Sequence, residues 1–158
     1  MKLTHLNEHQ QPTMVDVGAK STTSRTAIAS GKIYMSAQAY EAFKNSTGKK
    51  GPVSQTAIVA GIMGAKKTSE LIPMCHNILI DSVNIEIFTD DDTHSVRLES
   101  TLKCNGKTGI EMEALTSVSV GLLTIYDMLK AIDKTMRIEE IFLKYKSGGK
   151  SGEVSQQH

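Results

Sequence analysis

The apolar residues of this chain change period several times, and each change marks an element. Val83, Ile85 and Ile87 alternate with Asn84 and Glu86, and Val96, Leu98 and Leu102 alternate with Arg97, Glu99 and Lys103. Period two is the mark of a strand with one wet face. The cluster Asp90-Asp91-Asp92-Thr93-His94 between them reads as a hairpin loop, so the two strands are expected to run antiparallel. Beyond Gly106 to Gly109 the spacing lengthens. Leu115, Val118, Leu122, Ile125, Leu129 and Ile132 predict a long amphipathic helix reaching about Lys134. Alternation returns with Ile141, Leu143 and Tyr145, predicting a strand over Ile138 to Lys146.

Upstream, Ala57, Ile58, Ile62 and Ala65 follow helical spacing within Val53 to Leu71, and Pro73 ends that segment. Ala57, Gly61 and Ala65 stand at i, i+4 and i+8, so one ridge of this helix is nearly bare backbone. It is open to close approach by another helix, of the same chain or of a partner. Ser36 reads as the N-cap of a short helix over Ala37 to Phe43, with its stop in Asn45 to Gly51. Ile28 to Met35 predicts a short strand weakened by Ala and Gly. Residues 1–24 hold no period and read as a mobile arm, 25–146 as one domain, and 147–158 as a Gly/Lys-rich tail. The order is strand, two helices, hairpin, helix, strand. An antiparallel sheet with helices packed on one face, of the ferredoxin-like α+β kind, fits it.

Composition narrows the function classes. With 18 Lys and Arg against 17 Asp and Glu, the formal charge of +1 gives no overall attraction to nucleic acid or anionic membrane, so an anion site must be a local cluster. Trp is absent, which argues against a base-stacking platform. The apolar runs, such as Ile58 to Ala65, are short for a membrane span, and MKLTHLNEHQQ has no apolar signal core, so a cytoplasmic protein is expected. Cys75 and Cys104 alone make neither a disulfide framework nor a zinc cluster.

Several segments are chemically suggestive. Gly106-Lys107-Thr108 and Gly149-Lys150-Ser151 imitate the end of a P-loop, but the motif's first glycine would fall on Thr101 and Lys144. Thr108 to Glu113 reads as a capping box, with Thr108 bonding forward and Glu111 back. It also reads as a guanine reader, because a carboxylate accepts from the N–H edge of that base. Asp127 and Lys130, at i and i+3, form a surface ion pair unless they face a cleft. There, burial would draw the lysine toward neutrality and suit it to proton transfer. Glu113 lies about four turns before Asp127 and roughly forty degrees away in projection, so the three residues are candidates for one groove. His76 after Cys75 is an ordinary loop histidine by itself, and no metal site is assigned. The pairs Lys49/Lys50, Lys66/Lys67, Lys130/Lys134 and Lys144/Lys146, with Lys150, are solvated surface one by one, and a polyanion site if they converge.

Six blocks join these segments: MVDVGAK from Met14, AGIMGAKKT from Ala60, LIPMCH from Leu71, GKTGIEMEALTSVS from Gly106, LTIYDMLKA from Leu123 and KSGGKSG from Lys146. In order and spacing the chain resembles, over about residues 3 to 153, the cyclic pyranopterin monophosphate synthases of molybdenum cofactor biosynthesis. The resemblance implies a phosphorus–oxygen lyase acting on 3′,8-cyclo-7,8-dihydroguanosine 5′-triphosphate. It implies catalytic roles for Asp127, Lys130 and Lys50, and substrate contacts from Met74, Cys75, His76, Met112 and Glu113. Glu111 and Lys146 fall on further polar positions of the pocket. It also implies a ferredoxin-like protomer, a homohexamer built as a trimer of dimers, and sites at the dimer interface. No cofactor is required, although Mg²⁺ can ride on the substrate phosphates. Asn77 stands where the family usually has Pro, and Pro52 where it has Asp or Asn. A non-catalytic nucleotide-binding regulatory subunit and a GTP hydrolase are the other readings. Against the first stands an acid beside a lysine near two glutamates, which anion binding alone does not need, and the second would release inorganic phosphate from GTP itself.

Overall fold

In chain order the elements are β1 (Thr23–Tyr34), α1 (Ala37–Lys44), α2 (Val53–Lys66), α3 (Thr68–Leu71), β2 (Ser82–Asp90), β3 (Ser95–Gly106), α4 (Glu111–Leu129), β4 (Arg137–Ser147) and β5 (Val154–Ser155). They come from a computed structural model that describes residues 3–45 and 52–157. The five strands form one sheet in the order β2-β3-β1-β4-β5, and every neighbouring pair is antiparallel. Ala27, Ala29 and Ile33 of β1 and Val96, Leu98 and Leu102 of β3 are fully buried. They meet Val118, Leu122, Ile125 and Leu129 of α4, equally buried, and α2 packs along α4. The result is the expected ferredoxin-like α+β fold, with its helices on one face of an antiparallel sheet.

The strand predicted from Ile28 begins at Thr23, because Thr23 to Ala27 pair with Gly106 to Leu102 of β3. Its weak alternation has a packing cause. A Cβ on Gly31 would lie 2.8 Å from both Leu122 and Val118, so the centre of β1 must be small where α4 rests on it. The predicted helix over Val53 to Leu71 divides after Lys66, where the Thr68 hydroxyl donates to the carbonyls of Gly64 and Ala65 before α3 turns away. Pro52 occupies the N-cap of α2 and has no side chain that caps it. The long helix ends at Leu129, short of Lys134. Asp133 instead accepts from the Ser36 and Thr135 amides and pins the turn that follows. The N-cap role of Ser36 holds, its hydroxyl accepting from the Ala39 amide.

The small-residue ridge of α2 is filled by its own chain. A Cβ on Gly61 would lie 2.5 Å from Ile85 Cδ1 and 3.0 Å from the Ser117 carbonyl, and one on Gly64 would lie 2.9 Å from Val120. On α4, a Cβ on Gly121 would lie 2.5 Å from Leu98 and 3.3 Å from the Ala57 carbonyl. The ridge is therefore not free for a partner helix. Val59, Met63 and Leu123, on the outward sides of these helices, stay exposed. α4 has the 19-residue length and the mean hydropathy, 1.2, of a membrane-crossing helix, but half of that stretch is buried as the core helix of this domain.

Replacing Gly61 with Val should lower stability by about 1–3 kcal/mol, since two methyl branches on top of the Cβ have no room between Ile85 and the Ser117 carbonyl. Urea unfolding followed by circular dichroism measures this, and wild-type stability in the variant would show that α2 and α4 can separate at little cost.

Candidate functional site

Two segments far apart in sequence meet at the start of α4. Pro73 closes the helical stretch, leaving Met74, Cys75 and His76 in the connection to β2, and Glu111, Met112 and Glu113 make the first turn of α4. These six residues line one cavity of about 300 Å³, and Val15, Val17 and Lys20 of the arm form a further wall. The arm lacks periodic structure, yet it lies on the domain. His76 Nε2 donates to the Val15 carbonyl at 2.7 Å, and Lys107 Nζ donates to the Gly18 carbonyl at 2.9 Å.

A second cavity of about 670 Å³ adjoins the first and shares Lys20, Thr108, Gly109 and Glu111 with it. Its other charged residues are Arg25, Lys146 and Lys150. Glu111 is the one acid on this wall among the described residues, so four cations face a single carboxylate. Arg25 is fixed by its Nε–H donating to the Gly106 carbonyl at 3.0 Å. Gly148 and Gly149 have φ of +93° and +76°, and a Cβ on the latter would strike the Arg25 guanidinium. Only glycine allows the KSGGKSG segment to turn so closely over that arginine.

The acids at this junction differ in environment. Glu113 is 4% exposed and forms no ion pair among the described residues. Burial pushes its carboxyl above the usual glutamate range, and the neighbouring charge of Glu111 adds to this against the favourable effect of its own backbone N–H. Cys75 is likewise pushed up, by burial and then by Glu113, so its thiol stays protonated and is a weak nucleophile. Glu111 does not serve the capping box expected for it. α4 starts after Ile110 with no side-chain cap, and Glu111 Oε1 accepts from Lys146 Nζ at 3.0 Å.

Asp127 and Lys130 stand at the other end of α4. The fourteen positions from Glu113 to Asp127 correspond to about 21 Å of helix axis, so one chain does not bring the three residues to a common groove. Lys130 Nζ lies 2.8 Å from Asp127 Oδ1, and each side chain is about half exposed at 53%. The hydrogen bond to Asp127, and then its charge, raise the Lys130 pKa, the opposite of the lowering that burial would give. Lys50 lies outside the described residues. Cys104 is a core residue, 1% exposed, whose thiol is pushed up by burial. Among the described residues no three His, Cys, Asp or Glu side chains gather as metal ligands. Sequence reasoning gave no individual role to Val15, Val17 or Lys20, whose one signal was membership of the MVDVGAK block.

Comparison with known proteins converges on one family. The model of the MoaC family matches residues 14–149. The chain is 63% identical over 155 residues to the cyclic pyranopterin monophosphate synthase of Helicobacter pylori strain Shi470, covering 98% of both chains. It is 62% identical over 153 residues to the protein of that name from Helicobacter hepaticus, covering 97% of this chain and 96% of the relative. For the Campylobacter jejuni protein of that name the identity is 61% over 152 residues, covering 96% of this chain and 97% of the relative.

The raised Glu113 carboxyl has a consequence for stability. The folded state holds this proton more tightly than the unfolded chain does, so Glu113 subtracts stability as pH climbs from the ordinary glutamate range through its raised value. Glu113→Gln should therefore raise the melting temperature at pH 7.5, by about 2–5 °C. The gain should vanish as pH is lowered toward about 4, where the native carboxyl is neutral as well. A pH series of thermal melts checks both halves, and a gain that persists unchanged at low pH would refute the burial argument.

Proposed function

The chain belongs to the MoaC family, and on that premise we propose that it is a cyclic pyranopterin monophosphate synthase of molybdenum cofactor biosynthesis. It converts 3′,8-cyclo-7,8-dihydroguanosine 5′-triphosphate to cyclic pyranopterin monophosphate with release of diphosphate, as a phosphorus–oxygen lyase of the cytoplasm. The observation that carries this reading is the two-part site. A cavity of about 300 Å³ with carboxyl groups opens into one of about 670 Å³ ringed by Lys20, Arg25, Lys146 and Lys150. The first suits a purine-derived head with N–H donors, and the second suits a triphosphate.

The reaction opens the dihydroimidazole part of the purine and rebuilds it as a pterin. A ribose hydroxyl also attacks the α-phosphorus, its proton is taken up by a base, and the bond to the diphosphate oxygen breaks. Cations on the far side of the phosphates stabilise charge on the departing diphosphate. Burial raises the pKa of Glu113 beside the cavity taken here for the head group, where its carboxyl is placed to contact the N–H edge of the purine-derived ring. Magnesium, in this reading, is carried on the phosphate oxygens and not by a protein ligand set.

Asp127 and Lys130 enter from a second copy. Their exposure, and the distance to Glu113, place this pair outside the two cavities at the start of α4. Leu123, one turn before Asp127, is 59% exposed, an apolar contact point beside the pair. A two-fold dimer makes two equivalent composite sites, and three such dimers make the proposed homohexamer. Water leaving that interface would lower the Lys130 pKa from its raised value and ready it for proton transfer.

The purified protein should release diphosphate from the cyclised triphosphate, and Asp127→Asn or Lys130→Ala should cut the rate by about 100-fold or more without loss of assembly. Mixed oligomers of His76→Ala and Lys130→Ala chains, purified through two tags, should regain activity well above either parent. Mixed oligomers that form but stay inactive would place the whole site in one chain. Tight binding without turnover by the unaltered protein would favour the regulatory-subunit reading.

A further inference from the structure

Glu111 occupies an unusual position, because its side chain lines both cavities while its carboxylate is bound to a cation of only one. Lys146 Nζ lies 3.0 Å from Glu111 Oε1, and the two side chains are 18% and 29% exposed. Lys146 belongs to the basic cavity alone. Glu111 is also the only acid among the described residues on that cavity's wall, facing four cations. A carboxylate placed there repels any polyanion approaching the same lysine.

We propose that Glu111 is a resident counter-anion that the phosphate tail of the substrate must displace from Lys146, and that this exchange makes Glu111 a specificity-determining residue. The inference rests on the reading of the basic cavity as the tail site. A tail of several charges gains contacts with Lys20, Arg25, Lys146 and Lys150 together, which offsets the loss of one ion pair. A singly charged phosphodiester, such as the product of the proposed reaction, offers no such surplus, so the carboxylate returns to Lys146. The displaced side chain has a place to go, since it already borders the head cavity. The same exchange thus favours the triphosphate over the cyclic monophosphate made from it.

The fold supplies a second way to test the carboxylate. A Cβ on Gly109 would land on the Glu111 carboxyl, and all three of its nearest atoms belong to that group. Gly109 does not have a left-handed backbone, so alanine is allowed there and would evict the carboxylate from its present seat without changing the net charge.

Titration calorimetry with inorganic triphosphate compares the wild-type protein, Glu111→Gln and Gly109→Ala. Both variants should bind triphosphate more tightly, by about threefold to tenfold for a partly exposed ion pair. An affinity for Glu111→Gln equal to or weaker than wild type overturns the exchange. Tightening in Glu111→Gln with none in Gly109→Ala overturns it as well, because the gain would then come from net charge and not from release of Lys146. If none of the three proteins binds triphosphate, the reading of the basic cavity as the tail site falls too, an outcome distinct from the other two.

Discussion

The molecule depends on how closely α4 lies on the sheet and α2 on α4. Gly31 lets Leu122 and Val118 touch the backbone of β1, Gly121 receives Leu98, and Gly61 leaves space for Ile85 and the Ser117 carbonyl. These contacts bury Ala57, Ala114, Val118 and Leu122 completely and fix the height and direction of α4. The site residues carried by α4 are then placed by where that helix begins and ends. Its first turn carries Glu111 and Glu113 into the cavity beside Met74 to His76, and its last turn and C-cap carry Asp127 and Lys130 away from it. A packing constraint in the core thus decides which of these groups α4 brings together within one chain, and which it holds apart.

Electrostatics divides the site as sharply as packing does. At the head end lack of water raises the pKa of a nearly buried carboxyl, and next to it sits a thiol whose pKa is raised for the same reason. A few residues away, lysines and an arginine gather around one acid. Glu113 is buried without an ion pair among the described residues, on a helix whose neighbouring Ala114, Ser117 and Val118 are fully buried. Functional sites commonly store instability of this kind.

Much of this was legible from the residues themselves. The hairpin was readable because Val83 to Ile87 and Val96 to Leu102 have one buried and one wet face. The helix after Gly109 was readable because its buried stripe spans most of its length. The start of β1 was obscured because Thr23 to Thr26 are all polar and give no apolar alternation, while Ala27, Ala29 and Gly31 carry little strand signal. The spacing in Thr108 to Glu111 suggested a capping box, but Lys146, 35 residues away, bonds the glutamate, and no local pattern reveals a competitor at that range. The groove imagined for Glu113, Asp127 and Lys130 failed on length. Angular projection ignores the rise of the helix, and the rise is what separates them. The cavity wall built by Val15 and Val17 was hidden for the opposite reason: a segment without period can still pack once two side chains fasten its backbone.

That fastening divides the chain into parts of different strength. The sheet and its two long helices share a continuous core, whereas Val15 and Gly18 are tied down through single hydrogen bonds from His76 and Lys107. A local opening that breaks these two bonds disturbs none of the core contacts, so the arm's backbone amides are expected to exchange their hydrogens before those of β1 or α4. The same small opening unroofs the head cavity. The described part of the arm thus forms a side wall of the head cavity that is fastened by fewer bonds than the packed body of the protein.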